Sequence, residues 1–508
     1  MERTKNTMKI AKRPFTLLLA ASMLLAMTVS CSEIKTSKDE ETQSAIIGTE
    51  SERVSETEKT EDETPYVETL EKRDLEGYTY RIVAQHTASL PNFADSKEFT
   101  GEVVNDAIIT RNHAVAERLN IEISDISYEN RVTLMTDVAK TILAGDDAYD
   151  LVITSFSEGI NTMVTQNCFL DLTTVPHLTL ESERWNKSVT ENMRIDGRQF
   201  FTTGVVSASF FLTPQTVIFN KRLAADNNLP DLYECALEGK WTVDMMNTCM
   251  KGIAQDLNGN GQMDPTDDRY AFVVEGTLGN ALYMAGGLTA VSADEDGKWT
   301  INIDSEESIN LIDKCAAIFN DPSEVYTDLN ASNTELYFSV FTEGRSLFTS
   351  GIILHAVSKY RDMQDDFGIL PIPVFNEGDP YRTACNTWAP SGIAIPLTCQ
   401  DTEKIGLITE TLAAYSYDFI APAMIEKTLG KVARDSASYQ IMMTLYDTAE
   451  YDFNTIMNFS GTSELLRAAV IGAEENFTSV YQKNKASAEK ALEKFIKSCR
   501  ELSQVSGN

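Results

Sequence analysis

The sequence lacks the short motifs that mark common hydrolases and phosphotransferases. It contains no H-E-x-x-H, no G-x-S-x-G and no G-x-x-x-x-G-K-[ST]. Its four histidines, His86, His113, His177 and His355, follow no metal-ligand spacing. Paired carboxylates carry little information in so acidic a chain, because a glycosidase needs two at a defined separation that sequence does not show. These absences argue against an enzyme.

Positive charge is also scarce. The chain has 43 Lys and Arg residues against 76 Asp and Glu, which gives a formal net charge of −33. Binding to nucleic acid, or an electrostatic hold on anionic lipid, requires clustered basic side chains. The composition therefore excludes both partners as the basis of function.

Cysteine is sparse and irregularly placed. Apart from Cys31, seven cysteines are scattered along the chain, so no disulfide framework and no zinc spacing is present. We expect most of them to be buried small apolar residues. They are Cys168, Cys235, Cys249, Cys315, Cys385, Cys399 and Cys499.

The sequence has a single long apolar run, which lies at the N-terminus. Five basic residues precede the apolar stretch from Phe15 to Val29, which is typical of a secretory signal over residues 1–30. The run is short for a bilayer span and a polar stretch follows at once. The sequence therefore predicts export.

The signal ends at Thr28-Val29-Ser30-Cys31, which resembles a lipobox. In such a site the cysteine receives a diacylglycerol and becomes the first residue of the mature protein. We therefore expect Cys31 to anchor the protein to the extracytoplasmic face of a bacterial cell membrane. The alternative is an ordinary secreted protein in which the position of Cys31 is incidental.

Residues 31–72 are predicted to be a disordered acidic tether. From Ser32 to about Pro65 the chain consists mainly of Glu, Thr, Ser and Lys with almost no aromatic residue. Such a stretch cannot bury enough apolar surface to offset its ordering entropy. An acidic interaction tail is the other interpretation.

After the tether, strands and helices alternate. Strands are predicted at Tyr78–Ala84, Ile121–Ile126 and Tyr149–Thr154, and helices at Val103–Leu119 and Val132–Ala144. This spacing indicates βαβ units on a parallel sheet and an α/β fold.

Ligands of such sheets bind beyond the carboxyl ends of the strands. In this chain those ends are Gln85–Thr87 and Ser155–Glu158. We therefore include Phe156, Ser157 and Glu158 among the candidate ligand contacts.

Several segments together resemble the family 1 extracellular solute-binding proteins of ABC importers. The resemblance runs in the family's order from about Leu75 to about Ile496. The segments that carry it are YDLVITS, FLDLT (169–173), GRQFFTTG (197–204), TVIFNKRLAADNNLPD (216–231), WTVDMMNTCMKGIA (241–254), FTEGRSLFTSGI (341–352), FGILPIPVFNEG (367–378) and SGIAIP (391–396).

The resemblance implies the two-lobed type II periplasmic-binding-protein fold, with the ligand in a cleft between α/β lobes. Lobe one would comprise residues 73–207 and 367–420. Lobe two would comprise residues 208–366 and 421–508, including C-terminal helices. Such proteins close on a small solute, here expected to be a sugar or oligosaccharide, and deliver it to ABC permease subunits.

Residues 256–267 fit the twelve-residue calcium loop. Oxygen-bearing side chains occupy positions 1, 3, 5, 9 and 12, and Gly261 stands at position 6, where the chain must turn sharply. Position 12 is an aspartate, where glutamate is usual. A polar turn between a helix and a strand is the alternative. The predicted ligands of a structural Ca²⁺ are Asp256, Asn258, Asn260, Gln262 through its backbone carbonyl, Asp264 and Asp267.

Aromatic residues near the predicted cleft are candidates for sugar contact, because sugars stack on ring faces with polar groups around their edges. Trp388, on the approach to the strand in SGIAIP, is the first choice. Phe210 follows a predicted hinge at Ser207, and Trp185 and Phe459 are further candidates. Taken singly, each of these rings is more often a core residue.

Two other functions remain as alternatives. An outward-facing lipoprotein could be a surface-anchored hydrolase, although the motifs are absent. It could also be a calcium-dependent surface or adhesion protein, although docking modules usually carry the calcium loop twice and this chain carries it once.

The lipobox predicts the behaviour of one variant. Cys31→Ala removes the acceptor of the lipid, so we expect the protein to leave the membrane fraction or to stay unprocessed. Membrane fractionation with N-terminal sequencing checks this. A processed chain with unchanged membrane retention would rule out lipidation at Cys31.

Overall fold

Two β-sheets, each covered by helices, organise the chain. The computed structural model describes residues 66–86, 98–330, 333–432 and 436–501, and from Tyr66 onward the chain forms one compact unit. The predicted signal, Cys31 and the tether up to residue 65 lie outside these residues. No helix among the described residues has the length and apolarity that a bilayer crossing requires.

The strands are β1 Tyr78–Gln85, β2 Ile121–Tyr128, β3 Leu151–Thr154, β4 Gln215–Asn220, β5 Tyr270–Glu275, β6 Val291–Ala293, β7 Trp299–Ile301, β8 Val325–Asp328, β9 Ser346–Ile352, β10 Phe367–Leu370, β11 Thr383–Ala384, β12 Gly392–Ala394 and β13 Ala449–Glu450. The helices are α1 Tyr66–Thr69, α2 Val103–Leu119, α3 Arg131–Leu143, α4 Asn161–Thr165, α5 Lys187–Asn192, α6 Lys221–Asp226, α7 Leu232–Leu237, α8 Val243–Met250, α9 Leu278–Ala285, α10 Glu306–Phe319, α11 Thr334–Thr342, α12 Ile353–Ser358, α13 Thr402–Val432, α14 Ser436–Asp447, α15 Phe453–Met457, α16 Thr462–Val470 and α17 Phe477–Glu501.

The first sheet has the order β12-β3-β1-β2, and it organises the first lobe. Strand β1 pairs in parallel with β2 and β3, while β12 is antiparallel to β3. The predicted βαβ units are therefore confirmed. Helix α2 has the predicted bounds because Asn120 takes a left-handed conformation (φ 49°) and ends it. Helix α3 begins one residue early, since the Asn130 side chain caps it by accepting from the backbone N–H of Val132 and Thr133.

The second sheet has the order β10-β4-β9-β5-β8, and it organises the second lobe. Strand β5 is parallel to β8 and β9, whereas β4 is antiparallel to β9 and β10. Fully buried aromatic residues fill its core, with the Trp241 ring 5.7 Å from Phe348 and the Phe348 ring 5.7 Å from Phe272 between centroids.

The predicted return to lobe one at residue 367 is too early. Strand β10 pairs with β4 in the second sheet, with Phe367 opposite Asn220. Beyond it, the Pro371 carbonyl accepts a 2.9 Å hydrogen bond from Trp241 Nε1, and the Val374 carbonyl accepts one from the backbone N–H of Val243. These bonds keep the chain on the second lobe past residue 374.

The predicted end of lobe one at residue 420 falls inside a single helix. Helix α13 runs from Thr402 to Val432 with Pro422 in its interior. It packs against α2 of the first lobe and against α12 of the second. The interior proline removes one backbone hydrogen bond from this helix, which therefore belongs to neither lobe alone.

Residues 66–72, which the sequence assigns to the disordered tether, are folded in the structure. Helix α1 starts at Tyr66, whose ring lies 3.5 Å beneath the Arg184 guanidinium. The Tyr66 hydroxyl also donates to Glu410 Oε1 at 3.1 Å. These contacts hold the beginning of the described chain against the first lobe.

Three crossing segments between the lobes meet at Tyr451. Its fully buried hydroxyl lies 3.1 Å from Thr213 Oγ1 and 3.0 Å from Ser391 Oγ. One residue before it, β13 pairs with β11. A single tyrosine hydroxyl therefore links three parts of the chain that are distant in sequence.

Removing this hydroxyl should destabilise the fold. Tyr451→Phe leaves buried oxygens of Thr213 and Ser391 short of a partner, which costs about 1–3 kcal/mol of unfolding free energy. Denaturant unfolding measures the change. Tyr439→Phe is the matched control, because the half-buried Tyr439 hydroxyl has no hydrogen bond to the described residues, and it should change stability by less than about 0.5 kcal/mol. Equal effects of the two variants would contradict the role given to Tyr451.

Candidate functional site

A cavity of about 490 Å³ lies at the carboxyl-end edge of the second sheet. Strand β5 ends in Glu275 and β8 ends in Asp328, and both residues line the cavity. They are directly opposite each other in the parallel register of β5 and β8. The edge of a parallel sheet where ligands of α/β proteins bind thus presents two neighbouring carboxyl groups.

Helices α11 and α12 supply the side walls. Tyr337 and Phe338 of α11 line the cavity with His355 of α12. The Tyr337 side chain is 2% exposed, and its hydroxyl contacts Thr349 Oγ1 at 2.9 Å and donates to the Ser350 carbonyl. The Tyr337 hydroxyl is therefore already hydrogen-bonded to strand β9.

Trp388 lines the same cavity from the segment that crosses between the lobes. Its backbone N–H donates to Asn386 Oδ1 at 2.9 Å. The preceding residue, Thr387, accepts a 3.0 Å hydrogen bond from the backbone N–H of Ser157, and the two hydroxyls are 2.7 Å apart. The end of β3 and the approach to β12, both predicted to face the ligand, are thus hydrogen-bonded to each other beside the cavity.

The electrostatics of the cavity are set by burial. Burial is the largest cause that raises the pKa of Glu275 above its usual range; a hydrogen bond from Thr277 and the charge of Arg467 oppose it, and the charge of Asp328 adds to it. Burial, with a smaller effect of Lys359, lowers the pKa of His355 to about 4. At neutral pH the imidazole is therefore uncharged.

Three predicted ligand-contact rings lie in the packed interior instead of on the cavity. Phe156 is fully buried, with its ring 5.7 Å from Phe201 and 4.9 Å from Tyr451 between centroids. Trp185 is 3% exposed and its Nε1 donates to a Glu410 carboxylate oxygen at 3.1 Å. Phe459, 4% exposed, packs within an aromatic cluster of helices α15 and α17. Because these three rings are buried, we assign them a role in packing.

The other predicted contacts are also placed away from the cavity. The fully buried Ser207 donates through Oγ to the Pro390 carbonyl at 2.9 Å, which suits a crossing segment. Glu158 is exposed and forms an ion pair with Arg131 at 2.7 Å. Phe210 is half-buried and packs edge-on against its neighbour Phe211. Of the predicted set, Trp388 is the residue that the cavity includes.

Sequence reasoning missed Glu275, Asp328 and His355. Glu275 is the last residue of β5, so the rule that ligands bind at strand ends, applied to the second sheet, would have found it. Asp328 ends β8, a strand that was not predicted. His355 gives no sequence signal, since its place on the cavity depends on how α12 packs.

The predicted calcium loop is held in shape by its own polar side chains. Asp256 accepts hydrogen bonds from the backbone N–H of Gly259 and Gly261 at 2.6 and 2.7 Å. Gly261 has φ +79°, so the sharp turn at position 6 requires glycine. The buried Asp268 closes the base of the loop by accepting from the backbone N–H of Leu257 and Asp264, each at 2.8 Å.

These bonds fit both a calcium loop and a polar turn. Within the described residues, two groups of three acidic, histidine or cysteine side chains bring ligand atoms within 4.8 Å of one another, and the loop is not among them. Arginine side chains pair with both groups. Calcium binding by the loop therefore stays a prediction. The two groups are Glu71, His177 and Glu403, and Asp147, Asp150 and Cys399.

A second cavity, of about 460 Å³, lies on the helical side of the second lobe. It is bounded by α10 and by the turn before α17, with Asp313, Glu474 and Phe477 on its walls. No strand end of either sheet lines it. The second cavity therefore lacks the position at the strand ends that makes the first cavity a candidate ligand site.

The chain is similar in fold to solved solute-binding proteins. M. tuberculosis UspC matches with a TM-score of 0.55 and 12% identity, over 81% of this chain and 100% of that chain. The galacto-N-biose-/lacto-N-biose I-binding protein of the ABC transporter from Bifidobacterium longum, in complex with lacto-N-biose, matches with a TM-score of 0.55 and 11% identity, over 83% and 98%.

A third match is the ABC substrate-binding protein Lmo0181 from Listeria monocytogenes in complex with cycloalternan. Its TM-score is 0.50 at 12% identity, over 82% of this chain and 98% of that chain. No protein-family model and no curated protein sequence matches the chain. The structural matches nevertheless establish the architecture that the sequence predicts: this is the two-lobed α/β periplasmic-binding-protein fold.

Proposed function

We propose that this protein is an extracytoplasmic solute-binding lipoprotein that captures a small carbohydrate and delivers it to an ABC permease. The observation that carries the proposal is the cavity at the carboxyl edge of the second sheet, with Trp388 of a crossing segment on its wall. A solute in this cavity touches the second lobe and the segment that leads back to the first. Its binding is thereby coupled to the relative position of the lobes.

The chemistry of the walls supports a carbohydrate. Rings of Trp388 and Phe338 offer apolar faces, and Glu275, Asp328 and His355 offer polar groups around them. Sugars bind to this combination of stacking surface and hydrogen-bonding edge. Two similar structures carry the saccharides lacto-N-biose and cycloalternan.

Capture without catalysis is the function proposed. Two of the similar structures are named as a binding protein of an ABC transporter and an ABC substrate-binding protein. The hydrolase alternative is supported by the adjacent carboxyl groups of Glu275 and Asp328, because glycoside hydrolases use a pair of carboxyl groups. Recovery of the bound sugar intact after overnight incubation separates the two functions, and its cleavage would make the protein an enzyme.

Lipidation at Cys31 belongs to the same proposal. In this proposal the lipid on Cys31 attaches the protein to the membrane once the signal has been removed. Opening and closing of the lobes about the crossing segments is then the event that the permease subunits recognise.

Trp388→Ala should weaken sugar binding by about 2 kcal/mol or more, because it removes the largest ring face on the cavity. Isothermal titration calorimetry with the sugar that gives the largest thermal shift measures the loss. Trp299→Ala is the matched control, since this half-buried tryptophan packs against Phe453 away from the cavity, and it should bind with unchanged affinity. Normal binding by Trp388→Ala would contradict the assignment of the site.

A structural calcium ion in the loop of residues 256–267 is also proposed. The all-oxygen donor set suits a hard divalent cation. Two of the five side-chain ligands, Asn258 and Asn260, are neutral, so we expect modest affinity, on the order of 10⁻⁴ M. The loop lies between α8 and β5, away from the cavity, so the ion would stabilise the second lobe without contacting the solute.

EDTA should lower the melting temperature by a few degrees without changing sugar specificity, because calcium at millimolar concentration adds about 1.4 kcal/mol to the folded state. Asp256→Ala should abolish this response. Asp294→Ala, which removes a comparable turn carboxylate between β6 and β7, should retain it. Calorimetry without heat of calcium binding at millimolar concentration would leave the polar-turn interpretation.

A further inference from the structure

The last helix of the chain carries a row of lysines on its exposed side. Helix α17 runs from Phe477 to Glu501, and its buried face includes Tyr481, Ala488 and Leu492. Four exposed lysines lie on another side, because residues 7, 11 and 14 positions apart share one side of an α-helix. At 1.5 Å per residue the row is about 21 Å long. We call this row the lysine stripe; its members are Lys483, Lys490, Lys494 and Lys497.

Most of the charge on the lysine stripe is unpaired. Lys497 lies 3.7 Å from a carboxylate oxygen of Glu501, whereas the other three ammonium groups have no ion-pair partner within 4 Å among the described residues. The exposed acids Glu489 and Glu493 lie on the adjoining side of the helix, towards Lys485, which pairs with Asp304 at 2.7 Å. The stripe is therefore a local concentration of positive charge in a chain whose net charge is −33.

The sequence before the first described residue has the opposite charge. Between Glu33 and Glu63 the chain has eleven acidic and four basic residues, which gives a net charge of −7. We call residues 33–63 the acidic segment. Acidic stretches of this kind serve as interaction tails when a basic surface is within their reach. The charge of the acidic segment thus complements that of the lysine stripe.

The acidic segment is attached close enough to reach the stripe. Tyr66, three residues after its end, lies under the Arg184 guanidinium on the first lobe. The end of α17 is held on the same lobe, where Ser498 Oγ donates to Asn167 Oδ1 at 3.1 Å. Thirty extended residues span about 100 Å, more than the diameter of about 40 Å that a lobe of this size has. A segment linked in this way is present at an effective concentration of about 1 mM or more.

We infer that the acidic segment binds the lysine stripe of α17 within the same molecule. Its carboxylates form charge-assisted contacts with the unpaired ammonium groups, and the linkage through Tyr66 supplies the effective concentration. A bilayer fits the stripe less well, because a broad anionic surface would also face acidic parts of the chain. The contact folds the segment between the lipid anchor and the lobes back onto the protein. It involves neither the cavity nor the solute.

Zero-length cross-linking tests the contact directly. A carbodiimide joins an amine to a carboxylate only where the two are in contact, and mass spectrometry of the peptides identifies the joined residues. With the full chain in neutral detergent at about 0.02 M salt, we expect amides between the lysine stripe and the acidic segment. Their yield should fall at least about threefold at about 0.5 M salt, because screening weakens exposed ion pairs. A mixture of isotope-labelled and unlabelled protein shows whether both peptides come from one molecule.

Two triple variants locate the binding surface. The stripe variant combines Lys483→Gln, Lys490→Gln and Lys494→Gln. It should raise the rate at which a glutamate-specific protease cuts the acidic segment by about threefold or more at low salt, because the bound segment is protected. The control variant removes the same charge elsewhere and should leave this rate unchanged, with both variants checked for an unaltered melting temperature. It carries glutamine at three exposed lysines without ion pairs among the described residues, Lys140, Lys251 and Lys298.

The outcomes decide between the occupants of the stripe. Equal cleavage rates in the two variants, or no cross-link from the stripe to the acidic segment, would overturn the inference. Cross-links that join labelled to unlabelled chains would assign the stripe to a second copy instead. Vesicles of phosphatidylglycerol and phosphatidylcholine, compared with phosphatidylcholine alone, test the lipid. A preference for the anionic vesicles that only the stripe variant loses, with cleavage of the acidic segment unchanged, would make lipid the occupant.

Discussion

The site depends on the path of the chain from β11 to β12, which is hydrogen-bonded to both lobes. The backbone N–H of Cys385 donates to the Glu450 carbonyl and that of Asn386 to the Thr213 carbonyl, at 2.8 and 2.9 Å. Eight residues beyond Cys385, the Ile393 N–H donates to the Thr202 carbonyl at 2.8 Å. Trp388 lies between these fixed points, and its own backbone N–H donates to Asn386 Oδ1, so its position follows from main-chain bonds and from the Asn386 side chain.

The cavity is polar at its floor and aromatic at its wall because these two parts come from different elements of the fold. The floor consists of strand ends, where the sheet stops and backbone and side-chain groups lose their pairing partners. Placing Glu275 and Asp328 there removes them partly from water, which raises the pKa of Glu275. Such desolvation disfavours a charged group until an ion or ligand compensates it. The wall, by contrast, comes from a crossing segment, which can carry a large ring because it is outside both sheets.

Local structure was predictable from sequence because local residues determine it. The side chain of Asn130 and the left-handed turn at Asn120 set the ends of α3 and α2 without help from the rest of the fold. The parallel pairing of β1 with β2 and β3 followed from the spacing of strands and helices. Trp388 was identifiable because it precedes a strand that the family resemblance had located.

The rest required tertiary contacts. Strand β10 pairs with β4, and Phe367 lies opposite Asn220, which is 147 residues earlier in the chain. No local sequence pattern indicates this pairing. Phe156 stands at a strand end as predicted, but the rings of Phe201 and Tyr451 enclose it. The acidic floor was missed since it exists only when β5 and β8 lie side by side. Burial and register are properties of the assembled lobes, and single-sequence reasoning reaches them only through resemblance.

Under the proposed function, a solute bound at this cavity draws the two lobes together without being converted. Small-angle X-ray scattering before and after addition of a sugar that calorimetry shows to bind tests it most directly. The proposed function predicts a smaller radius of gyration on binding in the unmodified protein. A saturated protein whose scattering curve is unchanged would contradict closure, and with it the role of the crossing segments in coupling the cavity to the permease.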